Sequence, residues 1–421
     1  MFVAIRSGIA ARSIPGIAKE LCKITPNSVT KYQAASLTRA AFRNEDDIPN
    51  IKPFPYHEKE YTVFQMITDT NKCRVHEHSK LIVIDGQVAS GKSKLAQELA
   101  KEFDFLYLPQ PTFDDLLITK WGFDVRQLDH LLPKDAQSWD IERFLQNPYD
   151  RNTIAMQLYM YMMRQKQYID SLAHIFCTGQ GVVTVRSPWS DAVFAKAMYQ
   201  SKFISPKGYE AHTDACKASL QYYLKPHVII YLDVPVDLTL QNIKKRGLPH
   251  EVNSKVLNEK YLSDIEENYK RDYLAKLTEN CHLLIYDWSQ GGDIEVVVED
   301  LENLNYDDFE ENDPKLQDWR FTPYQYKVHT KHFTYDSDKL LCYMEVARTD
   351  VPELLMSGND WEAWYDVWEE VPDSLYLYPY NVHKGDKGVI WKDKFYLCDD
   401  HVTPLMKKYY ERKEREKRKT K

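Results

Sequence analysis

The clearest chemical signal in the sequence is a glycine-rich loop that could hold phosphate. Residues 86-GQVASGKS-93 have the spacing G-x-x-x-x-G-K-[ST], in which backbone N–H groups surround phosphate oxygens. Gly86 and Gly91 allow the backbone to turn its N–H groups inward. The Lys92 ammonium can bind the β- and γ-phosphates, and the Ser93 hydroxyl can ligate Mg²⁺. The sequence therefore predicts a nucleotide-phosphate site in this phosphate loop.

Phosphoryl transfer needs more than a phosphate loop. It requires a carboxylate that takes the proton of the acceptor hydroxyl, an acid near the metal, and arginines that neutralise the migrating group. In open α/β sheets, ligands bind at the carboxyl ends of the strands. We therefore expect such groups in segments that directly follow predicted strands, such as 105-FLYLPQP-111 and 184-TVRSPWSD-191.

Five short apolar runs predict the strands that would position these residues. The runs are 80-KLIVID-85, 105-FLYL-108, 181-GVVTV-185, 227-HVIIYLDV-234 and 282-HLLIY-286. Each is too uniformly apolar to have a solvent-exposed face, which is typical of parallel strands that helices cover on both sides. Helical composition separates them at 94–103, 151–177, 189–203 and 255–279. The pattern predicts an α/β fold.

Several motifs in the same order resemble the deoxynucleoside kinase family. They are the phosphate loop, 155-AMQLY-159, 184-TVRSPWSD-191 and 231-YLDVPVDLTLQNIKKRG-247. Segments 178–199, 247-GLPHE-251 and 261-YLSDIEENYK-270 are most similar to a mitochondrial branch of that family, the deoxynucleoside-kinase-like accessory subunits of respiratory complex I. The resemblance implies a P-loop kinase-type, doubly wound parallel sheet of five strands with a C-terminal extension.

The resemblance also implies roles for single residues. Arg186 and Arg246 would bind nucleotide phosphate together with the phosphate loop. Gln157 and Glu251 would contact the nucleoside, although an ordinary buried or surface glutamine is the alternative interpretation of Gln157. Ser93 would hold Mg²⁺ when a nucleotide is bound.

The chain departs from the active kinases of this family at three positions. Gln110 stands where they carry a glutamate that acts as general base, and loss of such a base removes ~10²–10⁴-fold in rate. Val185 replaces the acid that precedes the arginine, and Leu248 replaces a lid arginine. We therefore predict a site without catalytic residues that retains nucleotide but transfers phosphoryl groups poorly. An active mitochondrial deoxynucleoside kinase that uses ATP and Mg²⁺ is the alternative.

The N-terminal forty residues have the composition of a mitochondrial transit peptide. A single acid, Glu20, stands among six bases, which are Arg6, Arg12, Lys19, Lys23, Lys31 and Arg39. Transit peptides are basic and poor in acids. We predict removal of residues 1–40, a linker at 41–79 and a kinase-like domain at 80–305. A retained basic arm is the alternative.

The remaining residues, 306–421, form an aromatic-rich extension with a basic tail. Ten acids and no base between Asp293 and Asp313 predict a solvated linker before it. Trp361, Trp364 and Trp368 would share a helical face that packs on the chain or anchors a partner. The last fifteen residues hold nine bases and three acids. They indicate a solvated tail or one that binds acidic protein or anionic lipid.

Composition excludes several classes of function. The net charge of −8 disfavours nucleic-acid binding, and the longest apolar runs, of about eight residues, fall far short of the ~20 that a membrane helix needs. Seven cysteines without a C-x-x-C pair indicate free thiols in a reducing compartment. Cys73, His76 and His78 lie close together, but no second ligand cluster follows them.

The basic N-terminal segment predicts a mitochondrial protein, and the family resemblance implies a matrix protein, peripheral to the inner membrane, whose partners are other subunits of complex I. No haem or iron–sulfur ligand set is present, so the chain would carry no electrons itself. FAD has been described for members of this family, but the sequence has no fingerprint for it. The expected ligand is a nucleotide with Mg²⁺.

Overall fold

The computed structural model describes residues 37–43, 51–69, 73–118, 124–307 and 313–370. They form two compact units. The larger contains the described residues up to Pro111 together with Trp139–Leu355, and the smaller contains those of Thr112–Ser138 and from Met356 onward. The predictions for residues 1–36 and for the basic tail lie outside the described residues.

The larger unit is built on a five-stranded parallel sheet, which confirms the predicted fold. Its strands are β1 (Leu81–Gly86), β2 (Leu106–Leu108), β3 (Val182–Val185), β4 (Val228–Asp233) and β5 (His282–Asp287). The strand order is β2-β3-β1-β4-β5. In this register Ile84 of β1 pairs with Val185 of β3 and with Ile230 of β4. The strand that carries the phosphate loop therefore lies at the centre of the sheet.

Helices of the larger unit connect the strands and continue beyond the last one. They are α1 (Val63–Thr68), α2 (Lys92–Glu102), α4 (Ile141–Gln146), α5 (Thr153–Thr178), α6 (Pro188–Gln200), α7 (Pro206–Leu220), α8 (Val236–Arg246), α9 (Pro249–Val252), α10 (Glu259–Asn268), α11 (Leu274–Leu277), α12 (Ile294–Glu302), α13 (Pro323–Thr334) and α14 (Ser337–Cys342). A π-helical turn, Tyr269–Tyr273, joins α10 to α11. In the smaller unit, α3 is Asp114–Leu117 and α15 is Gly358–Glu370.

Two apolar cores cover the two faces of the sheet. One combines strand residues such as Ile84 with Leu99 of α2 and Leu301 of α12. The other joins Val83 of β1 to side chains of α5 and α13. Because both faces are buried, the strands carry the uniformly apolar runs seen in the sequence. The rigid sheet fixes the loops at its carboxyl edge.

The C-terminal extension contributes directly to the second core. The Tyr326 hydroxyl of α13 donates to the Phe176 carbonyl of α5 at 2.6 Å. Phe333 is 1% exposed, and its ring centroid lies 5.8 Å from that of Phe176. Residues 313–355 thus belong to the same unit as the sheet, although the sequence predicted that the kinase-like domain ends at residue 305.

Helix α15 of the smaller unit buries a tyrosine and exposes a tryptophan. Tyr365 is buried, whereas Trp361 is 49% exposed, and their rings stack at 5.4 Å. The side chain of Trp368 lies outside the described residues. Within the described ranges, no helix combines the length and the apolar character that crossing a bilayer requires.

The packing of α13 on α5 predicts that Phe333→Ala destabilises the protein by about 3–5 kcal/mol, because the change leaves a cavity in the core. Tyr324→Ala is the matched control, since Tyr324 is an aromatic residue of the same helix that is 70% exposed. Chemical denaturation of both variants measures the difference. Equal unfolding midpoints for the two would show that α13 is no part of the cooperative core.

Candidate functional site

A cleft of about 860 Å³ opens at the carboxyl edge of the sheet. This volume lies within the range of small-molecule sites in proteins. The phosphate loop forms one wall, and α5 forms another. Residues of α4, α6 and α10, the lid segment at residues 244–251 and the loop after β5 at Trp288–Gly291 also line it.

The phosphate loop has the backbone geometry that its glycines predict. Gly86 has φ +143°, and a Cβ there would lie 2.6 Å from the Leu232 carbonyl oxygen. Gly91 has φ +84° and caps the N-terminus of α2. Any side chain at Gly86 would push the loop away from β4, so the sheet itself requires glycine. The first turn of α2 then points its N–H groups toward a phosphate position.

Lys92 is buried below the loop. Its ammonium donates to the Gln87 carbonyl and to the Ser90 hydroxyl, the latter at 3.0 Å. Burial, together with the nearby Arg186 guanidinium, lowers the pKa of Lys92 well below its ordinary value. A phosphate group in the loop would supply the negative charge that favours the protonated amine.

Arg186 follows β3 in a left-handed backbone conformation, with φ +69°. Its Nη1 donates to the Tyr269 hydroxyl at 2.6 Å, and its Nε donates to Gln110 Oε1 at 3.2 Å. The guanidinium carbon also lies 4.3 Å from the centroid of the Phe194 ring. These hydrogen-bond partners are neutral, and they orient the guanidinium. The Asp85 carboxylate lies one hydrogen bond further away, behind the Tyr269 hydroxyl, and an anionic ligand in the cleft would compensate the charge further.

The structure brings both altered acid positions into the cleft. Gln110 lines it beyond the end of β2, and Val185 lines it as the last residue of β3. Six basic side chains line the same cleft, namely Lys92, Lys94, Arg164, Arg186, Lys245 and Arg246. Among the described lining residues, Glu251 is the single carboxylate, and it accepts from Arg246 Nε at 2.9 Å. The cleft is therefore suited to an anion.

Asp85 is the nearest acid in sequence to the phosphate loop, but it is fully buried below the cleft. It accepts hydrogen bonds from the hydroxyls of Tyr269, at 3.2 Å, and of Tyr273. Both tyrosines belong to the π-helical turn, a feature that often marks functional sites. Asp85 thus holds Tyr269, the hydrogen-bond partner of Arg186, in place. It is not among the residues that line the cleft, so it is not positioned to replace the missing base.

Gln157, predicted to contact a nucleoside, lines the cleft from α5. Its Nε2 donates to Asp191 Oδ2 at 2.7 Å. Arg164 pairs with the other oxygen of Asp191 and also lines the cleft. The sequence analysis missed Arg164, although it lies two helical turns after Gln157 and hence on the same face of α5.

Asp191 is fully buried between two cations. His212 of α7 places Nε2 at 2.9 Å from Asp191 Oδ2 and Nδ1 at 3.6 Å from the Cys216 sulfur. Burial alone would raise the pKa of Asp191, but Arg164 and His212 lower it below its ordinary value. Burial would likewise lower the pKa of His212, but Cys216 and Asp191 raise it to about 10.

The cleft offers few side-chain ligands for a metal ion. Ser93 lines the cleft and is exposed, so its hydroxyl fits the predicted role beside nucleotide phosphates. Val185 offers no oxygen at the second position. Among the described residues, no group of three or more His, Cys, Asp or Glu side chains could hold a metal ion, and Cys73, His76 and His78 form none.

The buried His212 predicts a specific pH dependence of stability. The folded chain holds this proton up to about pH 10, against 6.5 for an unperturbed histidine. Its stabilisation is therefore complete below about pH 6.5 and declines toward pH 10 by at most ~1.4 kcal/mol per pH unit. His212→Gln should flatten this slope in denaturation curves. An unchanged slope would show that His212 is neutral in the folded protein.

Comparisons with known proteins agree with this architecture. The deoxynucleoside kinase family model matches residues 82–319. The chain is 33% identical over 328 residues to the mouse protein NADH dehydrogenase (ubiquinone) 1 alpha subcomplex subunit 10, mitochondrial. This alignment covers 77% of this chain and 87% of the mouse protein. It is 24% identical over 250 residues to deoxyguanosine kinase of Dictyostelium discoideum, covering 59% and 78% of the two chains.

A solved deoxyadenosine kinase from M. mycoides superimposes with a TM-score of 0.40 and 20% identity, over 53% of this chain and all of that one. The family model and the mouse relative both span more than half of this sequence. The chain belongs to the deoxynucleoside kinase family, in the branch that contains the alpha subcomplex subunit 10 proteins of NADH dehydrogenase.

Proposed function

We propose that this chain is an accessory subunit of mitochondrial NADH:ubiquinone oxidoreductase, complex I, which retains a nucleotide but does not transfer its phosphoryl group efficiently. The observation that carries the proposal is the pair Gln110 and Val185, which line a cleft that holds six basic side chains and one carboxylate. An amide and an isopropyl group replace the two carboxylates that the kinase chemistry of this family needs. The fold and the phosphate loop remain.

The relatives support the assembly part of the proposal. The mouse, rat and bovine proteins all bear the name of a mitochondrial NADH dehydrogenase subunit, and each is matched over 87% or more of its length. Such a span includes segments outside the kinase-like domain. The basic, acid-poor N-terminal sequence supports import into the mitochondrial matrix. There the chain would lie at the matrix side of the inner membrane as part of the complex.

The cleft supports the ligand part of the proposal. Lys92, Arg186 and Arg246 would neutralise the phosphates, while Gln157 and Glu251 would contact the nucleoside. Ser93 would ligate Mg²⁺ between the phosphates. The acceptor hydroxyl would meet the Gln110 amide, which cannot take its proton, and this loss alone lowers a rate by ~10²–10⁴-fold.

An active deoxynucleoside kinase is the second candidate. The intact phosphate loop and the two phosphate-binding arginines favour it. The separation of Asp85 from the cleft disfavours it, because both of its oxygens are engaged by tyrosine hydroxyls. Nucleotide binding and phosphoryl transfer would thus depend on different residues, so that substitutions can alter one without the other.

Native electrophoresis of mitochondria tests the assembly role. We expect the chain to migrate with NADH dehydrogenase activity and its depletion to reduce the assembled enzyme, because an accessory subunit buries surface that its neighbours need. Re-expression of the full chain should restore assembly. A chain that always migrates alone, with normal enzyme in its absence, would contradict the proposal.

Restoring the two acids tests the catalytic deficit. We expect the double variant Gln110→Glu and Val185→Asp to phosphorylate deoxynucleosides at least ~10²-fold faster than the natural chain, because the base and the metal-side acid return. ADP release with a mixture of deoxynucleosides measures the rate. Adding Lys92→Ala should abolish the gain. A double variant that still binds ATP but gains no rate would show that other residues block transfer.

A further inference from the structure

Residues 37–43, which precede the kinase-like domain in sequence, form an N-terminal arm that packs within the larger unit. Leu37 is 1% exposed and belongs to the core that contains Leu99 of α2 and Leu301 of α12. A 3₁₀ turn, Ala40–Phe42, follows it. A leucine buried to this degree contributes to stability as any core residue does. The start of the arm is therefore part of the folded protein.

Arg39 connects the arm to the acidic helix α12. Its backbone N–H donates to Glu302 Oε1 at 3.1 Å, and its Nη1 lies 2.6 Å from Glu295 Oε2. These carboxylates belong to a stretch of ten acids without a base, from Asp293 to Asp313. Like charges on neighbouring turns repel. Arg39 offsets that repulsion with a charge supplied from outside the stretch.

Arg43 ties the end of the arm to helix α2. Its Nη2 donates to the carbonyl of Phe103, the residue that caps the C-terminus of α2, at 2.6 Å. Its Nε donates to the Thr38 carbonyl at 2.9 Å, which closes the arm on itself. The last carbonyls of a helix lack partners within the helix, and a cation there is favourable. Thr38 is consequently needed for the geometry that Arg43 adopts.

These contacts conflict with cleavage after residue 40. Such a cut would remove Leu37 from the core, Arg39 from the two glutamates and the Thr38 carbonyl from Arg43. The lost leucine would matter most, because ion pairs with partly exposed partners contribute little. Five of the six bases of the transit-peptide region, Arg6, Arg12, Lys19, Lys23 and Lys31, precede the arm. A shorter presequence would keep its basic character.

We propose that proteolytic processing occurs before Leu37, so that Leu37–Arg43 remains in the mature protein as a structural arm. This revises the transit-peptide limit predicted from composition, which fell inside the arm. The processing site rests on the proposed function, because it requires import into mitochondria. The packing of Leu37–Arg43 on the fold is independent of import. Processing and packing can therefore be tested separately.

Mass spectrometry of the N-terminal peptide of the native mitochondrial protein tests the processing site. We expect the first residue to lie between Phe2 and Leu37. A mature chain that begins at or after Thr38 would overturn the proposal. A chain that keeps Met1 inside mitochondria would overturn it as well, and would show that the basic segment is not a cleaved presequence.

Truncated chains test the packing independently of import. A chain that begins at Ala41 should melt about 5 °C or more below a longer chain that begins at Ser36 and so keeps the arm. Within the longer chain, Leu37→Ala should reproduce most of this loss. Phe42→Ala is the matched control, because Phe42 is 71% exposed. Equal melting temperatures for all of these chains would contradict the inference.

Discussion

The charge of the buried Arg186 guanidinium dominates the physical chemistry of the cleft. Tyr269 and Gln110 orient this cation through neutral hydrogen bonds, and the buried Asp85 carboxylate accepts a hydrogen bond from the same tyrosine hydroxyl. A glutamate at position 110 would form an ion pair with Arg186 and would also be a base. The glutamine removes both properties at once. Under the proposed function, the site would therefore hold more positive charge and a weaker base than an active kinase, a combination that would favour retention of an anion over its conversion.

The second organising feature is the buried cluster of Arg164, Asp191 and His212. It joins α5, α6 and α7, and its Arg164 also lines the cleft. A carboxylate without partners would be costly at zero exposure, and two cations together with the Gln157 amide compensate it. The cluster thereby holds Gln157 and Arg164, which line the cleft, in fixed positions. The same contacts stabilise the fold and shape this part of the cleft.

Much of this arrangement could be predicted from sequence because its signals are local. The phosphate loop is a contiguous motif, and the buried strands appear as short apolar runs. The cluster around Asp191 was missed because it depends on how three helices pack, and Asp191, Arg164 and His212 are distant in sequence. The role of α13 was also missed, since Tyr326 and Phe333 contact Phe176 across about 150 residues. The proposed shift of the transit-peptide limit also depends on contacts of Leu37 and Arg39 that exist only in the folded chain.

Binding and turnover measured on one sample of the purified full chain test the central claim most directly. Calorimetric titration with ATP and Mg²⁺, followed by an assay with labelled deoxynucleosides, separates retention of the nucleotide from its use. The account predicts saturable binding and a turnover at least ~10²-fold below the 1–100 s⁻¹ that is typical of kinases. Turnover within that range would contradict the claim that the cleft lacks an effective base. Absence of any nucleotide binding would contradict the claim that its positive charge serves a ligand.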